Sequence, residues 1–104
     1  MLINNVGILG GIEQAPGQAS PSLYKEVLET NLFGAVLMNQ AFVDLLLKSE
    51  ASRIVNITSS LGSLTLHTDP SWKYYQFQPA AYVVSKAALN LYTIYWLKNF
   101  SILL

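Results

Sequence analysis

The segment Ala81-Tyr82-Val83-Val84-Ser85-Lys86-Ala87-Ala88 decides how this chain is interpreted. Its spacing places the phenol of Tyr82 and the ammonium of Lys86 on one face of a helix. A free tyrosine loses its proton near pH ~10, and a nearby cation lowers the cost of making the anion. The pair therefore predicts a tyrosine that exchanges protons at neutral pH. Taken alone, the same spacing is also that of an ordinary surface pair.

Three further stretches precede this segment along the chain. They are Ile3-Asn4-Asn5-Val6-Gly7, Asn31-Leu32-Phe33-Gly34 and Ile54-Val55-Asn56-Ile57-Thr58-Ser59-Ser60-Leu61-Gly62. With the Tyr-x-x-x-Lys segment, this ordered set resembles the short-chain dehydrogenase/reductase family, from about Leu2 to about Leu97. The resemblance implies an α/β fold of the Rossmann-like, doubly wound type with a parallel sheet. This chain would hold a β-α-β-loop-α segment from the central to C-terminal part of that fold.

The resemblance gives a catalytic role to four residues, which are Asn31, Ser59, Tyr82 and Lys86. It implies hydride transfer between a nicotinamide cofactor and a small-molecule carbonyl or alcohol substrate. Tyr82 would give its proton to the developing alkoxide, and Ser59 would hydrogen-bond the substrate oxygen. Lys86 would favour the tyrosinate and bond the ribose hydroxyls of the nicotinamide. Asn31 would hold a water that links Lys86 to solvent.

The same resemblance predicts where the cofactor binds. Asn-Asn-Val-Gly matches the family's Asn-Asn-Ala-Gly signature at a strand end that borders the cofactor, so the expected contacts are Asn4, Val6, Gly7, Tyr82 and Lys86. Val6 departs from the pattern, and its two additional methyl groups should crowd their neighbours in a tightly packed strand end. The expected cofactor is NADP or NAD, with NADP slightly preferred. The residue that would select between them is absent from the sequence.

Two of the four candidates also have a plain structural interpretation. Asn31 belongs to a stripe at helical spacing, which comprises Leu23, Val27, Asn31, Ala35, Met38, Phe42 and Leu45 or Leu46. Its amide could simply bond its own helix backbone. Ser59 follows a β-branched strand at 53–58 and could merely end that strand with turn chemistry. Its register, three residues after Asn56, distinguishes it from Ser60 as the matching serine.

The remaining elements follow from local signals. The chain predicts a strand from Leu2 to Asn4 or Asn5, a helix that starts at Ser20-Pro21, a long loop at 62–78 and a helix opened by Pro79. On the last helix, one stripe comprises Ala81, Val84, Ala88, Leu91 and Tyr95, and a second comprises Tyr82, Lys86 and Asn90.

Aromatic side chains are concentrated in the long loop and have two possible roles. Trp72, Tyr74 and Tyr75 could cover a substrate pocket, or they could pin the loop to the body of the protein. His67 stands without an Asp, Glu or His partner at ligand spacing, so no metal site is expected there.

Composition limits the classes of partner. The 104 residues are 52% hydrophobic and 12% charged, with a formal net charge of zero and no cysteine. The sequence has no excess of basic residues that would bind nucleic acid. The lack of cysteine excludes disulfides and thiolate metal sites. The longest apolar stretch, at 32–47, contains four interrupting residues, Gly34, Asn39, Gln40 and Asp44. We therefore expect no membrane span, no signal peptide and a cytoplasmic location.

A Gly-x-x-x-Gly-x-Gly loop, which brings the backbone close to a pyrophosphate, is missing from the sequence. We therefore expect residues 1–104 to form a single partial Rossmann domain that lacks this motif and the C-terminal strands. Three interpretations remain: a fragment of an enzyme that would be a homo-oligomer at full length, an inactive remnant that binds partners through its helices, or an unrelated α/β module. As an isolated chain it is expected to show no turnover.

Overall fold

Two short parallel strands form the sheet in the computed structural model, which describes residues 1–99. The elements are β1 (Leu2–Asn4), α1 (Pro21–Leu28), α2 (Gly34–Leu47), β2 (Ile54–Asn56), α3 (Leu64–His67) and α4 (Ala80–Asn99). Strands β1 and β2 pair with Leu2 opposite Ile54 and Asn4 opposite Asn56. Parallel strands cannot be joined by a hairpin, and here α1 and α2 make the crossover. The predicted order of strand, helix, strand, loop and helix is confirmed.

A π-helical turn, Glu29–Phe33, joins α1 to α2, so that one continuous helix runs over Pro21–Leu47. The helix begins where the sequence predicts, because the Ser20 hydroxyl accepts a hydrogen bond from the backbone N–H of Leu23 at 3.2 Å. In the π turn the backbone bonds skip one additional residue, as in the bond from the N–H of Gly34 to the carbonyl of Glu29.

The buried face of the first long helix departs from the stripe predicted from the sequence. From Val27 to Ala35 the prediction holds, since Val27, Asn31 and Ala35 are buried. After the turn, Asn39 is buried in place of Met38. The later members Phe42 and Leu45 are also exposed, whereas Leu46 is buried. The wider turn rotates the following residues, which moves the buried face on by one position.

The buried face of α4 does not follow the apolar stripe seen in the sequence. The side chains buried on α4 are Ala81, Ser85, Lys86, Leu89 and Trp96. Of that stripe, Val84, Leu91 and Tyr95 are exposed. Apolar residues surround most of this helix, so periodicity could not select the face, and its contacts with α1 and the π turn decide it.

The main apolar cluster is small and lies between the sheet and the two long helices. Leu46, Ile54 and Trp96 form its buried part, and Leu2, Val43 and Tyr92 pack against it. The segment at 62–78, expected to be a long loop, begins at the last residue of a 3-10 turn, Ser60–Gly62, and contains the short helix α3.

By length and composition, the helix at Pro21–Leu47 could cross a membrane, with a mean hydropathy of 1.3 over its most apolar window. The four interrupting residues were therefore too weak an argument against a span. The core helix of a soluble protein passes the same test, so this is a weak indication. The absence of membrane contact stays a prediction.

Candidate active site

Tyr82 and Lys86 line one cleft with a volume of about 460 Å³. The other lining residues are Asn5, Gly7, Ile8, Leu9, Ile57, Leu61 and Phe77. The Lys86 Nζ lies 5.7 Å from the centroid of the Tyr82 ring. The predicted juxtaposition of phenol and ammonium is present, in a cleft whose walls are mainly apolar.

Lys86 is a nearly enclosed cation, with 5% of its surface exposed. Its Nζ donates a hydrogen bond to the backbone carbonyl of Ile57 at 3.0 Å, one residue past the end of β2. Burial lowers the pKa of Lys86 from its ordinary value of 10.5, because removal from water disfavours the charged form. The ammonium is therefore fixed at the carboxyl end of the sheet, where parallel folds bind their ligands.

Asn31 connects three parts of the structure through its buried amide group. Its Oδ1 accepts a hydrogen bond from the Ile8 N–H at 2.8 Å, and its Nδ2 donates to the Ile8 carbonyl at 2.9 Å. Nδ2 also donates to the Ser85 hydroxyl at 2.9 Å. That hydroxyl in turn donates to the carbonyl of Tyr82 at 2.6 Å. Asn31 thus joins the loop after β1 to α4, and the alternative of a bond to its own helix backbone is wrong.

Gly7 leaves a space between these groups. A β carbon at this position would lie 3.4 Å from the Lys86 Nζ and 3.5 Å from the Asn31 Oδ1. The lack of a side chain at Gly7 therefore keeps room for a ligand hydroxyl or a water beside both polar atoms.

Ser59 lies at the start of the loop that follows β2. Its hydroxyl accepts a hydrogen bond from the Leu61 N–H at 3.1 Å and caps the 3-10 turn. Leu61 lines the cleft, whereas Ser59 is not among the lining residues. The structure thus brings Asn31, Tyr82 and Lys86 together and places Ser59 in the adjoining turn.

Asn4 belongs to a ladder of amides that crosses the sheet. Its Nδ2 donates to the Oδ1 of Asn39 at 2.7 Å and to the Oδ1 of Asn56 at 2.8 Å. The Nδ2 of Asn56 donates to the Thr93 hydroxyl at 2.9 Å. The ladder ties α2, both strands and α4 together, so the Asn4 side chain has a structural role in the described part of the chain.

Val6 is not in the tightly packed environment that the sequence suggested. Its side chain is 76% exposed, and it lines a separate, mainly apolar cavity of about 310 Å³ with Asn4 and Met38. The two additional methyl groups therefore meet no close packing among residues 1–99.

The aromatic segment at 67–77 is held against the 3-10 turn that adjoins the cleft. The Nε2 of His67 lies 2.6 Å from the carbonyl oxygen of Leu61. The His67 and Trp72 rings meet edge to face at 5.0 Å, and those of Trp72 and Tyr74 do so at 5.5 Å. From this loop it is Phe77 that lines the cleft. Within residues 1–99, no cluster of three or more His, Cys, Asp or Glu could hold a metal ion.

Sequence reasoning did not identify Ser85 or the Ile57 carbonyl as parts of the site. Ser85 stands inside the Tyr-x-x-x-Lys segment, so its position between the two candidates was visible. Its bond to Asn31, 54 residues away, was not. The Ile57 carbonyl is a backbone group, which leaves no residue-type signal.

The family model described as "short chain dehydrogenase" matches residues 1–99. This chain belongs to the short-chain dehydrogenase family. It is 36% identical over 95 residues to the short-chain dehydrogenase anuI of Penicillium roqueforti, which covers 88% of this chain and 37% of that protein. It is 45% identical over 58 residues to a (+)-neomenthol dehydrogenase of Capsicum annuum, which covers 55% of this chain and 18% of that protein.

A solved structure of similar fold is the NADPH-bound carbonyl reductase from chicken fatty liver. The TM-score is 0.76 and the identity 31%, over 91% of this chain and 38% of that chain. This short-chain dehydrogenase chain thus spans about two fifths or less of the relatives described here. The Rossmann-like α/β fold and membership of an oxidoreductase family are established by these matches.

Proposed function

We propose that this chain carries the proton-transfer half of an NAD(P)-dependent short-chain oxidoreductase, seen as a fragment, that interconverts a carbonyl and an alcohol. NADP is slightly preferred, which the NADPH-bound relative supports. The observation that carries the proposal is the shared cleft of Tyr82 and Lys86, with a buried ammonium 5.7 Å from the phenol ring. Few structural roles would justify enclosing a lysine at the carboxyl end of a parallel sheet.

One feature of the site, the space at Gly7, fits a nicotinamide nucleotide. The open space at Gly7 lies next to the Lys86 Nζ, where a ribose hydroxyl could accept a hydrogen bond. Lys86 and the neighbouring backbone would hold this group, and the Asn4 and Val6 contacts stay predictions. When bound, the nicotinamide would supply or accept the hydride.

The chain's own residues would then move and hold the proton. Tyr82 would donate its hydroxyl proton to the forming alkoxide in reduction and accept it in oxidation. The Lys86 ammonium would stabilise the phenolate that is left. Ser59 would hydrogen-bond the substrate oxygen if its hydroxyl turned from the Leu61 N–H towards the cleft. The Asn31 amide already makes three bonds, so its first contribution would be to position α4.

The test is titration of the purified 104-residue chain with NADPH and with NADH, followed by fluorescence. Size-exclusion chromatography with light scattering would run alongside. Saturable binding would lead to a screen of carbonyl compounds, in which Tyr82→Phe should lower kcat by about 10²-fold or more while NADPH still binds. Tyr95→Phe, at an exposed position of the same helix, is the matched control. A folded chain that binds neither nucleotide would contradict the proposal.

A second candidate is the inactive remnant that acts through its helices. It is favoured by the exposed apolar side chains on α2 and α4, which are Leu37, Met38, Phe42, Leu45 and Leu47 on α2 and Val84, Leu91, Ile94 and Leu97 on α4. Such faces favour self-association, and a homo-oligomer is expected in either case. Self-association without nucleotide binding would favour the remnant. The cytoplasmic location stays a prediction.

A further inference from the structure

Gln14 is a buried polar side chain in the loop between β1 and α1, with 1% of its surface exposed. Its Nε2 donates to the carbonyls of Leu9 and Gly11, each at 2.7 Å. Its Oε1 accepts a hydrogen bond from the backbone N–H of Tyr82 at 3.2 Å. Both amide protons and the amide oxygen are therefore used, and the partners lie on two different elements.

The bond to Tyr82 supplies a helix cap that the local sequence lacks. Helix α4 begins at Ala80, and the residue before it, Pro79, has no side-chain oxygen with which to bond the first N–H groups. The backbone carbonyl of Gln14 accepts from the Ala80 N–H at 3.2 Å, in addition to the side-chain bond to Tyr82. A residue 68 positions away thus caps the helix at two points.

The loop is shaped around this amide. Gly10 has a backbone φ of +83°, a conformation that residues with a β carbon rarely adopt. A β carbon at Gly10 would lie 2.8 Å from the Val27 Cγ2 and 3.2 Å from the Gln14 Nε2. The loop therefore packs closely on α1 and on Gln14, which holds the amide in one place.

We propose that Gln14 is a positioning residue. It fixes the position of the Tyr82 phenol relative to Lys86 and to the part of the cleft wall that belongs to the loop after β1. Leu9, whose carbonyl it holds, lines the same cleft as Tyr82, so one amide fixes the two walls relative to each other. The inference rests on the proposed function only for its effect on rate. The geometry itself is testable without turnover.

The first arm of the test is NMR on the 104-residue chain with labelled tyrosine. Gln14→Met removes every side-chain hydrogen bond at similar side-chain length and leaves the backbone bond to Ala80 in place, and Gln18→Met makes the same change at an exposed position of the same loop. In Gln14→Met we expect the Tyr82 amide to exchange about tenfold faster relative to the Val83 amide, because its acceptor is lost. Nuclear Overhauser contacts between the Tyr82 ring and the Lys86 ε-methylene should weaken.

Gln14→Glu keeps an oxygen that can accept from the Tyr82 N–H, but it replaces the donor to the Leu9 and Gly11 carbonyls with a second oxygen and so loses both of those bonds. Slow exchange of the Tyr82 amide should return in this variant, which therefore separates the bond to α4 from the bonds within the loop and also tests the proposal where Gln14→Met does not fold. Unchanged exchange and ring contacts in Gln14→Met would overturn the proposal. So would fast exchange of the Tyr82 amide in a folded Gln14→Glu.

The second arm measures rate under saturating NADPH with any carbonyl compound that is reduced. Gln14→Met should lower kcat by up to about 10²-fold with little change in KM, because the proton donor is displaced. Gln14→Glu, which keeps only the side-chain bond to Tyr82, should give an intermediate kcat. Equal kcat in wild type and Gln14→Met would overturn the positioning role. A wild-type chain that binds neither NADPH nor NADH but passes the NMR arm would contradict the proposed function and support the geometry inferred for Gln14.

Discussion

Asn31 and Ser85 share a buried hydrogen bond of 2.9 Å, although 54 residues separate them in the sequence. Asn31 lies in the π turn of the first long helix, and Ser85 lies between Tyr82 and Lys86 on the last one. The same amide makes two bonds to Ile8, which lines the cleft. One side chain therefore holds the loop, the π turn and the Tyr-x-x-x-Lys helix in register.

Asn31→Ala should therefore destabilise the chain much more than Ser85→Ala. It removes three hydrogen bonds, two to the backbone of the half-buried Ile8 and one to the buried Ser85 hydroxyl, at about 1 kcal/mol each. Ser85→Ala leaves the Asn31 bonds to Ile8 intact but leaves one N–H of the buried Asn31 amide without its acceptor, so a cost of about 1–2 kcal/mol is expected. Urea unfolding measures both, with the exposed Ser22→Ala as control. An equal loss of unfolding free energy in the two variants would contradict this role of Asn31.

Lys86 should give the stability a distinct pH dependence. Because burial lowers its pKa from 10.5, the unfolded chain binds more protons than the folded chain between the lowered value and 10.5. The Lys86 contribution to the free energy of unfolding should rise with pH across that window. Below it, the full cost of the buried charge is present, and the bond to the Ile57 carbonyl offsets part of it.

Lys86→Met should lack this rise. The measurement is urea unfolding of wild type and variant at several pH values from about 7 to about 10.5, where the difference between them isolates Lys86. Lys25→Met, at an exposed position on α1, is the control and should keep the wild-type slope. If Lys86→Met keeps the same slope as well, the ammonium is better solvated than its burial indicates.

Much of the site could be predicted because its parts are local in sequence. The four-residue spacing of Tyr82 and Lys86 defines one helix face, and a small polar cluster after β2 marks a strand end. The partners of Asn31 and the cap from Gln14 could not be predicted, since both depend on the path of the loop after β1. No residue type indicates where a backbone carbonyl such as that of Ile57 points.

The π turn explains where helical periodicity failed. A stripe drawn at 3.6 residues per turn is correct through Ala35, and it then selects Met38 when Asn39 is the buried residue. The amide ladder from Asn39 through Asn4 to Asn56 depends on this rotation. A sequence pattern contains no sign of a single wide turn inside an otherwise regular helix.

Gly7→Ala should weaken nucleotide binding without loss of stability. Its β carbon would make ordinary contacts at 3.4 and 3.5 Å, but it would occupy the space beside the Lys86 Nζ. The expected change in the free energy of unfolding is within ~0.5 kcal/mol, as for a typical tolerated substitution. NADPH titration should show a clear loss of affinity.

Gly62→Ala provides the contrast for this measurement. A β carbon there would lie 2.7 Å from the Asn90 Nδ2 and 3.0 Å from the backbone carbonyl carbon of Lys86. Overpacking against a helix backbone should cost about 1–3 kcal/mol. Gly17→Ala, with nothing within 4 Å of its β carbon, should change neither property. Wild-type NADPH affinity in Gly7→Ala would show that the space beside Lys86 is not used by the nucleotide.

In the complete enzyme that the proposed function implies, Phe77→Ala should change which carbonyl compounds are reduced. Phe77 lines the cleft with Tyr82, whereas Trp72 and Tyr74 interact within the loop through edge-to-face contacts. Loss of the ring enlarges an apolar wall, so the ratio of kcat/KM for 2-decalone over cyclohexanone should rise by about tenfold. Tyr74→Ala is the matched control and should leave that ratio unchanged. If the ratio responds to Tyr74→Ala and not to Phe77→Ala, the loop covers the substrate through its other aromatic side chains.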